Sequence, residues 1–292
     1  MRVEVIAIFG PTASGKSTVA AALARRLGTE VVSADALQVY RGLAILTNQP
    51  SEPTRLVAIR ELTETMTVGE YASLAHAAID EVVGEQGSVV VAGGTGLYLR
   101  AALANLAIPP AVDPELRRRV EAAYDADPDG TFARLGALDP AAAAAVHVND
   151  RRRVVRALEL AEAGASLAPS SDRLWSIATR HPTLVVGLDL APATLEQRIR
   201  ARTDEMLSRG AVKEARAALA GPISHTARQA LGLEELASLP PTEARERIVL
   251  RTRRYASYQR KWMRRIPGVV LVDADRSPDH VADAILDVAR GR

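Results

Sequence analysis

The fold is decided by the opening stretch Val3-Glu-Val-Ile-Ala-Ile-Phe-Gly-Pro-Thr-Ala-Ser-Gly-Lys-Ser17. Val3–Phe9 is nearly all apolar, the pattern of a strand buried on both faces of a sheet. Gly10-Pro11-Thr12-Ala13-Ser14-Gly15-Lys16-Ser17 then satisfies G-x-x-x-x-G-K-[ST]. Behind it Val19, Leu23 and Leu27 recur at helical spacing, and Gly28 is placed to end that helix. Strand, glycine turn and helix in this order is the context the motif needs. The glycines let successive N–H groups converge on an anion, and the helix start adds its positive dipole end. Lys16 offers a point charge to phosphoryl oxygens, and the Ser17 hydroxyl a ligand for Mg²⁺. A di- or triphosphate is expected here, although the motif does not name the chemistry.

Outward from this loop, Val31–Ala34 and Ser88–Ala92 read as further strands, Val68–Val83 as a helix, and Gly93–Leu106 as a glycine turn running into a helix. Strand alternating with helix predicts an α/β fold, a P-loop NTPase-like doubly wound parallel sheet. From about Pro109 the pattern changes. No strand-like run returns until Thr183–Leu188, and the interval holds helical stretches at Pro114–Tyr124, 141–145 and Asn149–Ala163, closed by a loop at Ser166–Asp172. The expected organisation is a core of 1–109, a helical insertion domain of 110–172, and a second core part of 173–292. That last part has helices across 192–264, a strand at Val269–Val272 and a closing helix from Pro278.

Composition narrows the function classes. The chain of 292 residues has no cysteine, which excludes a disulfide scaffold, a thiolate zinc site and a cysteine nucleophile. No apolar run approaches the roughly 18 residues a membrane helix needs, and Glu4 interrupts the one stretch resembling a signal-peptide core. A cytoplasmic protein is expected. Net charge is only +2, yet residues 245–265 hold eight Arg and one Lys against a single Glu. Such a run reads either as an anion-facing surface, with nucleic acid the leading ligand, or as a solvated face balanced by acidic neighbours.

Asp35 follows the second predicted strand, at the sheet edge where open parallel sheets bind ligands. A carboxylate there can take a proton from a nucleophile or hold Mg²⁺; a turn-forming Asp is the plainer alternative. Gly93-Gly94-Thr95-Gly96 repeats the strand–turn–helix design, with Thr95 placed to cap the next helix, donate to a substrate, or both.

Taken together and in order, several segments resemble the tRNA dimethylallyltransferase family. They are Gly10–Ser17, Ser33-Ala-Asp-Ala-Leu-Gln-Val-Tyr-Arg41, Gly93-Gly-Thr-Gly-Leu-Tyr98, Asn149-Asp-Arg-Arg-Arg-Val-Val-Arg-Ala-Leu-Glu159, Gln197-Arg-Ile-Arg-Ala-Arg-Thr-Asp-Glu-Met206, Arg228-Gln-Ala-Leu-Gly232 and Thr252-Arg-Arg-Tyr-Ala-Ser-Tyr-Gln-Arg-Lys-Trp262. The resemblance implies that the loop holds the diphosphate of dimethylallyl diphosphate rather than ATP. It further implies that Asp35 takes the proton of an adenine amine as that nitrogen attacks the allylic carbon. Thr12, Lys16 and Ser17 with Mg²⁺ are then the groups that stabilise the leaving diphosphate. Arg202 matches a family arginine that reaches the diphosphate, and helix spacing puts Arg198 on the same face, so either could serve. The acceptor implied is the anticodon stem-loop of tRNA, its target base flipped into a channel and its stem clamped by the helical insertion. By the same match Asp35, Ala36, Leu37, Gln38, Thr95, Arg117, Arg152, Arg153, Val154, Val155, Arg156, Arg228, Gln229, Ala230, Leu231, Gly232 and Leu233 are expected to contact tRNA. The protein is expected to act as a monomer.

Tyr255, Tyr258 and Trp262 fall on one face of the basic helix, either as a core stripe or as walls of the channel. After Arg41 the pattern departs from the family. Ala44-Ile-Leu-Thr-Asn-Gln-Pro50 and Pro53-Thr-Arg-Leu-Val-Ala58 lack the family's usual Asp, Lys and paired His and are joined by a short spacer. The Leu46-Thr47-Asn48 wording resembles enzymes that prenylate free adenine nucleotides, so adenylate isopentenyltransferase is one alternative. A small-molecule P-loop kinase and a non-catalytic tRNA-binding paralogue are the others.

Overall fold

The structure is a computed structural model that describes residues 3–110, 112–168 and 176–291. The chain forms two compact units, residues 1–106 with 174–292 and residues 107–173.

The first unit opens with β1 (Val5–Phe9), α1 (Lys16–Leu27), β2 (Val31–Ser33), β3 (Thr54–Arg55), α2 (Val68–Gln86), β4 (Val89–Gly93) and α3 (Gly96–Leu103). The second unit holds α4 (Pro114–Ala126), α5 (Pro128–Leu138), α6 (Pro140–Ala145) and α7 (Arg151–Glu162). The first unit then resumes with β5 (Thr183–Asp189), α8 (Pro192–Ser208), α9 (Ala211–Leu219), a 3-10 turn at Ala227–Gln229, α10 (Leu233–Ser238), α11 (Pro241–Met263), β6 (Val270–Asp273) and α12 (Pro278–Arg290).

All six strands are parallel in the order β3-β2-β4-β1-β5-β6. β1 is central, with Val5 opposite Val89 on one side and Thr183 on the other. Its five residues are all buried, which is why the sequence there is unbroken by polar groups. Ile6, Ile8, Val90, Leu184, Val186 and Leu188 pack with Leu23 of α1, Ile199 of α8 and Ile285 of α12. The alternating Val5, Ala7, Phe9, Val89 and Val91 are buried as well, so both faces are covered, as a doubly wound sheet requires. α1 stops where expected, because Gly28 takes a left-handed φ of 64° that side chains disfavour.

The helical unit is punctuated by Asp-Pro. Asp113, Asp127 and Asp139 each cap the helix that the following proline opens, accepting from Glu115, Gly130 and Ala142 N–H respectively. Asp150 caps α7 through Arg153 N–H. The unit has its own core, with Val120, Tyr124, Leu135, Val154, Val155 and Leu158 packed together.

Three elements differ from the sequence reading. β3 has only two residues, too few for any periodic pattern to mark it. α2 runs on to Gln86, where Gly87 caps it, and α5 lies in a stretch whose helix the pattern had not delimited. Of the expected loop Ser166–Asp172, residues 169–172 lie outside the described residues.

Candidate phosphate and acceptor site

The loop after β1 closes on itself. Ser14 N–H donates to the Pro11 carbonyl at 3.1 Å, and Lys16 Nζ donates to the same oxygen at 2.9 Å. Gly15 takes φ 88° and Ala13 φ 66° to make the turn. A Cβ on Gly10 would lie 2.7 Å from Ser14 Oγ and 3.3 Å from Lys16 Cγ, so the bare glycine leaves room for both side chains. The Ser14 hydroxyl is buried and has no hydrogen-bond partner among the described residues.

Lys16 and Arg202 are two half-buried cations beside one carboxylate. Burial lowers Lys16 to about 8, against the pull of Asp35, and the nearby Arg202 charge depresses it further. Burial likewise lowers Arg202, with Asp35 again the opposing charge, and Arg202 Nε is buried without a hydrogen-bond partner. Neither cation has an ion-pair partner within 4.0 Å among the described residues. An apolar setting tolerates such charges poorly unless an anion arrives to share the space.

Asp35 serves the turn and faces the site at once. Its Oδ1 accepts from Leu37 N–H at 2.9 Å and Gln38 N–H at 3.4 Å, which is the turn-forming role, and its Oδ2 is left unbonded among the described residues. Gln38 is committed to the protein: Oε1 accepts from Ser33 Oγ, while Nε2 donates to the Thr47 and Asn48 carbonyls. The short segment after Arg41 is tied down by the same residue and by Gln49, whose amide donates to the carbonyls of Gln38 and Tyr40. Glu214 of α9 completes it by accepting from Ile45 and Leu46 N–H.

Gly93 is bare because a Cβ there would lie 2.0 Å from the Ala34 carbonyl. Thr95 precedes α3 without making the cap hydrogen bond expected of it. Its side chain lies beside Tyr255, whose hydroxyl is pushed up to about 12 by burial and by the neighbouring Asp35 charge. A cavity of about 70 Å³ gathers Thr12, Asp35, Leu37, Arg202, Leu231 and Tyr255. A larger one of about 300 Å³ opens past the same segment, with Ser17, Ser33, Gln38 and Ala92 in its wall.

Other expected site residues are placed differently. Arg198 turns away to the Ala274 carbonyl and Asp275, one helical turn short of the site, so Arg202 alone of the pair reaches Lys16 and Asp35. Arg228 is exposed and paired with Glu234, and the Gln229 amide lies 3.5 Å from His225. Ala230 and Leu233 are buried, so only their backbone remains for a ligand. Gly232 takes φ 93° between them.

In the helical unit, Val154 and Val155 point into the core, so only their backbone remains for the expected tRNA contact. Arg117 pairs with Glu121 and approaches the buried Glu159; Arg156 pairs with Glu159 at 2.6 Å and also reaches the Pro110 carbonyl. Arg152 and Arg153 are exposed and have no ion-pair partner among the described residues.

The basic run of α11 is part balance and part surplus. Arg245, Arg247, Arg251, Arg253 and Arg260 pair with Asp204, Glu243, Glu235, Glu196 and Asp189. Arg254, Lys261 and Arg264 are exposed with no such partner among the described residues. The aromatic stripe divides as well. Tyr255 lines the small cavity, Tyr258 is 57% exposed, and Trp262 lies against Gly96, where a Cβ would come within 2.1 Å of its ring. Gln259, which sequence reasoning passed over, hydrogen-bonds both the phosphate loop and the Gly94 turn.

Fold and site together define a P-loop α/β protein whose glycine loop after β1 is met by an arginine from α8 and a carboxylate that follows β2. Comparison with known proteins places it further. The model of the IPP transferase family matches residues 38–266. The chain is 40% identical to the tRNA dimethylallyltransferase of Salinispora arenicola, over 96% of this chain and 85% of that one. It is also 40% identical to that of Anaeromyxobacter dehalogenans strain 2CP-C, over 96% and 98%. The crystal structure of the tRNA isopentenylpyrophosphate transferase of Bacillus halodurans superposes with a TM-score of 0.69 at 30% identity, covering 99% of this chain and 96% of that one. A eukaryotic dimethylallyltransferase captured acting on tRNA gives a TM-score of 0.81 at 25% identity, covering 99% and 80%. The chain belongs to the IPP transferase family.

Proposed function

We propose that the protein transfers a dimethylallyl group from dimethylallyl diphosphate to the exocyclic N6 amine of the adenosine 3′ to the anticodon in tRNA, releasing diphosphate. The observation that carries this reading is the pair of half-buried cations without ion-pair partners among the described residues, Lys16 and Arg202, set around Asp35 beside the glycine loop after β1. The amine nitrogen forms a bond to the allylic carbon as that carbon's bond to the diphosphate oxygen breaks, and the amine proton passes to the Asp35 carboxylate. Charge gathers on the departing diphosphate. Lys16, Arg202, Thr12 and the loop N–H groups are the groups that can meet it without reorganising.

The Ser17 hydroxyl makes no hydrogen bond among the described residues and so suits Mg²⁺, an ion that takes one or two protein oxygens and completes its shell with phosphate and water. Bound there, Mg²⁺ would add to the neutralisation of the diphosphate. No group of three acidic or histidine side chains that could hold a metal by itself exists among the described residues.

The exposed Arg254 and Lys261 of α11, Arg264 just after it, and Arg152 and Arg153 of α7 supply phosphate contacts for the anticodon stem-loop, which favours tRNA over a free adenine nucleotide as acceptor. The helical unit acts as the clamp on that stem. The enzyme works as a monomer in the cytoplasm; separately, no helix among the described residues is long and apolar enough to cross a membrane. Incubation of the protein, Mg²⁺ and donor with unmodified tRNA, followed by digestion and weighing of the nucleosides, tests the reading. One added isopentenyl mass on adenosine is expected. Prenylation of AMP, ADP or ATP with tRNA untouched would assign the protein to free nucleotides instead.

A further inference from the structure

Gln259 lies near the C-terminal end of α11 and is 2% exposed. Its side chain bridges two loops that face the phosphate site. Oε1 accepts from Thr12 N–H at 2.8 Å, and Nε2 donates to the Gly94 carbonyl at 2.8 Å. These partners fix the polarity of the amide, because an N–H can only donate and a carbonyl can only accept. Neither a carboxylate nor a hydrocarbon of the same length can make both bonds. Gly94 is shaped by the contact, since a Cβ there would fall 2.5 Å from Gln259 Nε2 and 3.4 Å from Lys16 Nζ. The same helix sets Tyr255 against Thr95, Trp262 against Gly96 and Arg260 against Asp189 at the end of β5.

We propose that Gln259 is a positioning residue for the diphosphate. It holds the start of the phosphate loop at Thr12 and the Gly94 turn at the separation in which Lys16 and the loop N–H groups converge on the anion. It touches neither substrate. This role rests on the reading of the site as a diphosphate cradle, and its deciding measurement, diphosphate binding, needs no turnover.

The test compares wild type with Q259E and Q259M. Titration calorimetry with inorganic diphosphate and Mg²⁺ gives anion affinity, filter binding gives tRNA affinity, and a melting curve reports the fold. Loss of these two buried hydrogen bonds is expected to weaken diphosphate binding about tenfold in Q259M and further in Q259E, where a carboxylate faces the Gly94 carbonyl. The donor KM should rise in step, with kcat and tRNA affinity changed far less. A merely structural residue would lower the melting temperature without this split. Wild-type diphosphate affinity in a folded variant overturns the proposal, and if Q259E does not fold, Q259M, uncharged and of matching length, decides. A wild-type protein that binds diphosphate tightly but prenylates no acceptor would defeat the functional reading and leave the role of Gln259 standing.

Discussion

Arginine does opposite work in the two units. In the helical unit Arg117, Arg118, Arg119, Arg134, Arg151 and Arg156 each have a carboxylate of the same unit within reach. Most of these pairs are exposed and individually worth little, and they leave Arg152 and Arg153 as exposed arginines without an ion-pair partner among the described residues. In the sheet unit Arg202 is half-buried, its Nε fully so, with no ion-pair partner among the described residues, beside a lysine whose pKa partial burial lowers. A paired arginine supports the fold, whereas an unpaired buried one is a cost that only a bound anion offsets. The missing partner, rather than the presence of a cation, marks the site.

That contrast can be broken at several points, the most sensitive first. Asp35→Ala removes the proton acceptor and should lower kcat by about a thousandfold with tRNA affinity nearly intact; near-normal turnover would dismiss the base assignment. Arg202→Met keeps the length and removes the charge, and should lower kcat/KM for the donor by about a hundredfold. It should also raise the melting temperature of the ligand-free protein slightly, since a half-buried charge without an ion pair is removed; a fall in stability would show that the Asp35 and Glu205 charges already offset it. Lys16 gives a pH test with a definite sign. It must carry its proton to hold the diphosphate, and burial sets its pKa to about 8, so the donor KM should be flat below that pH and rise about tenfold per unit above it. A KM unchanged a full unit higher would place the functional charge elsewhere. The smallest effect belongs to the surface surplus. Arg152→Ser with Arg153→Ser should weaken tRNA binding about tenfold and flatten its salt dependence by about two units of slope, leaving donor KM alone.

The sheet and its phosphate loop were legible because their signals are local: an unbroken apolar strand, a fixed glycine–lysine spacing and a helix ended by Gly28. The order of the family-like segments carried Asp35 and Arg202. Periodicity could not separate Arg198 from Arg202, which share a helix face yet diverge because Asp275 captures the first. Nor could it find the bridge from Gln259 to Thr12, whose ends are 247 residues apart and carry no mark in their own neighbourhoods. Val154 and Val155 show the converse limit. They sit inside a segment that matches the family and yet point into the helical core, because a matched segment does not say which way each side chain faces.

The parallel sheet has a consequence for how the protein is made. No two of its strands can form a hairpin, and β1 must wait for residues 183–187 before its second edge is covered. On a translating ribosome the phosphate loop therefore emerges early but stays unsupported through most of synthesis. The helical unit, whose contacts are close in sequence, can collapse as it leaves the exit tunnel. Chains that terminate before α11 should be preferred substrates for proteases, even though every residue of the loop motif is already present.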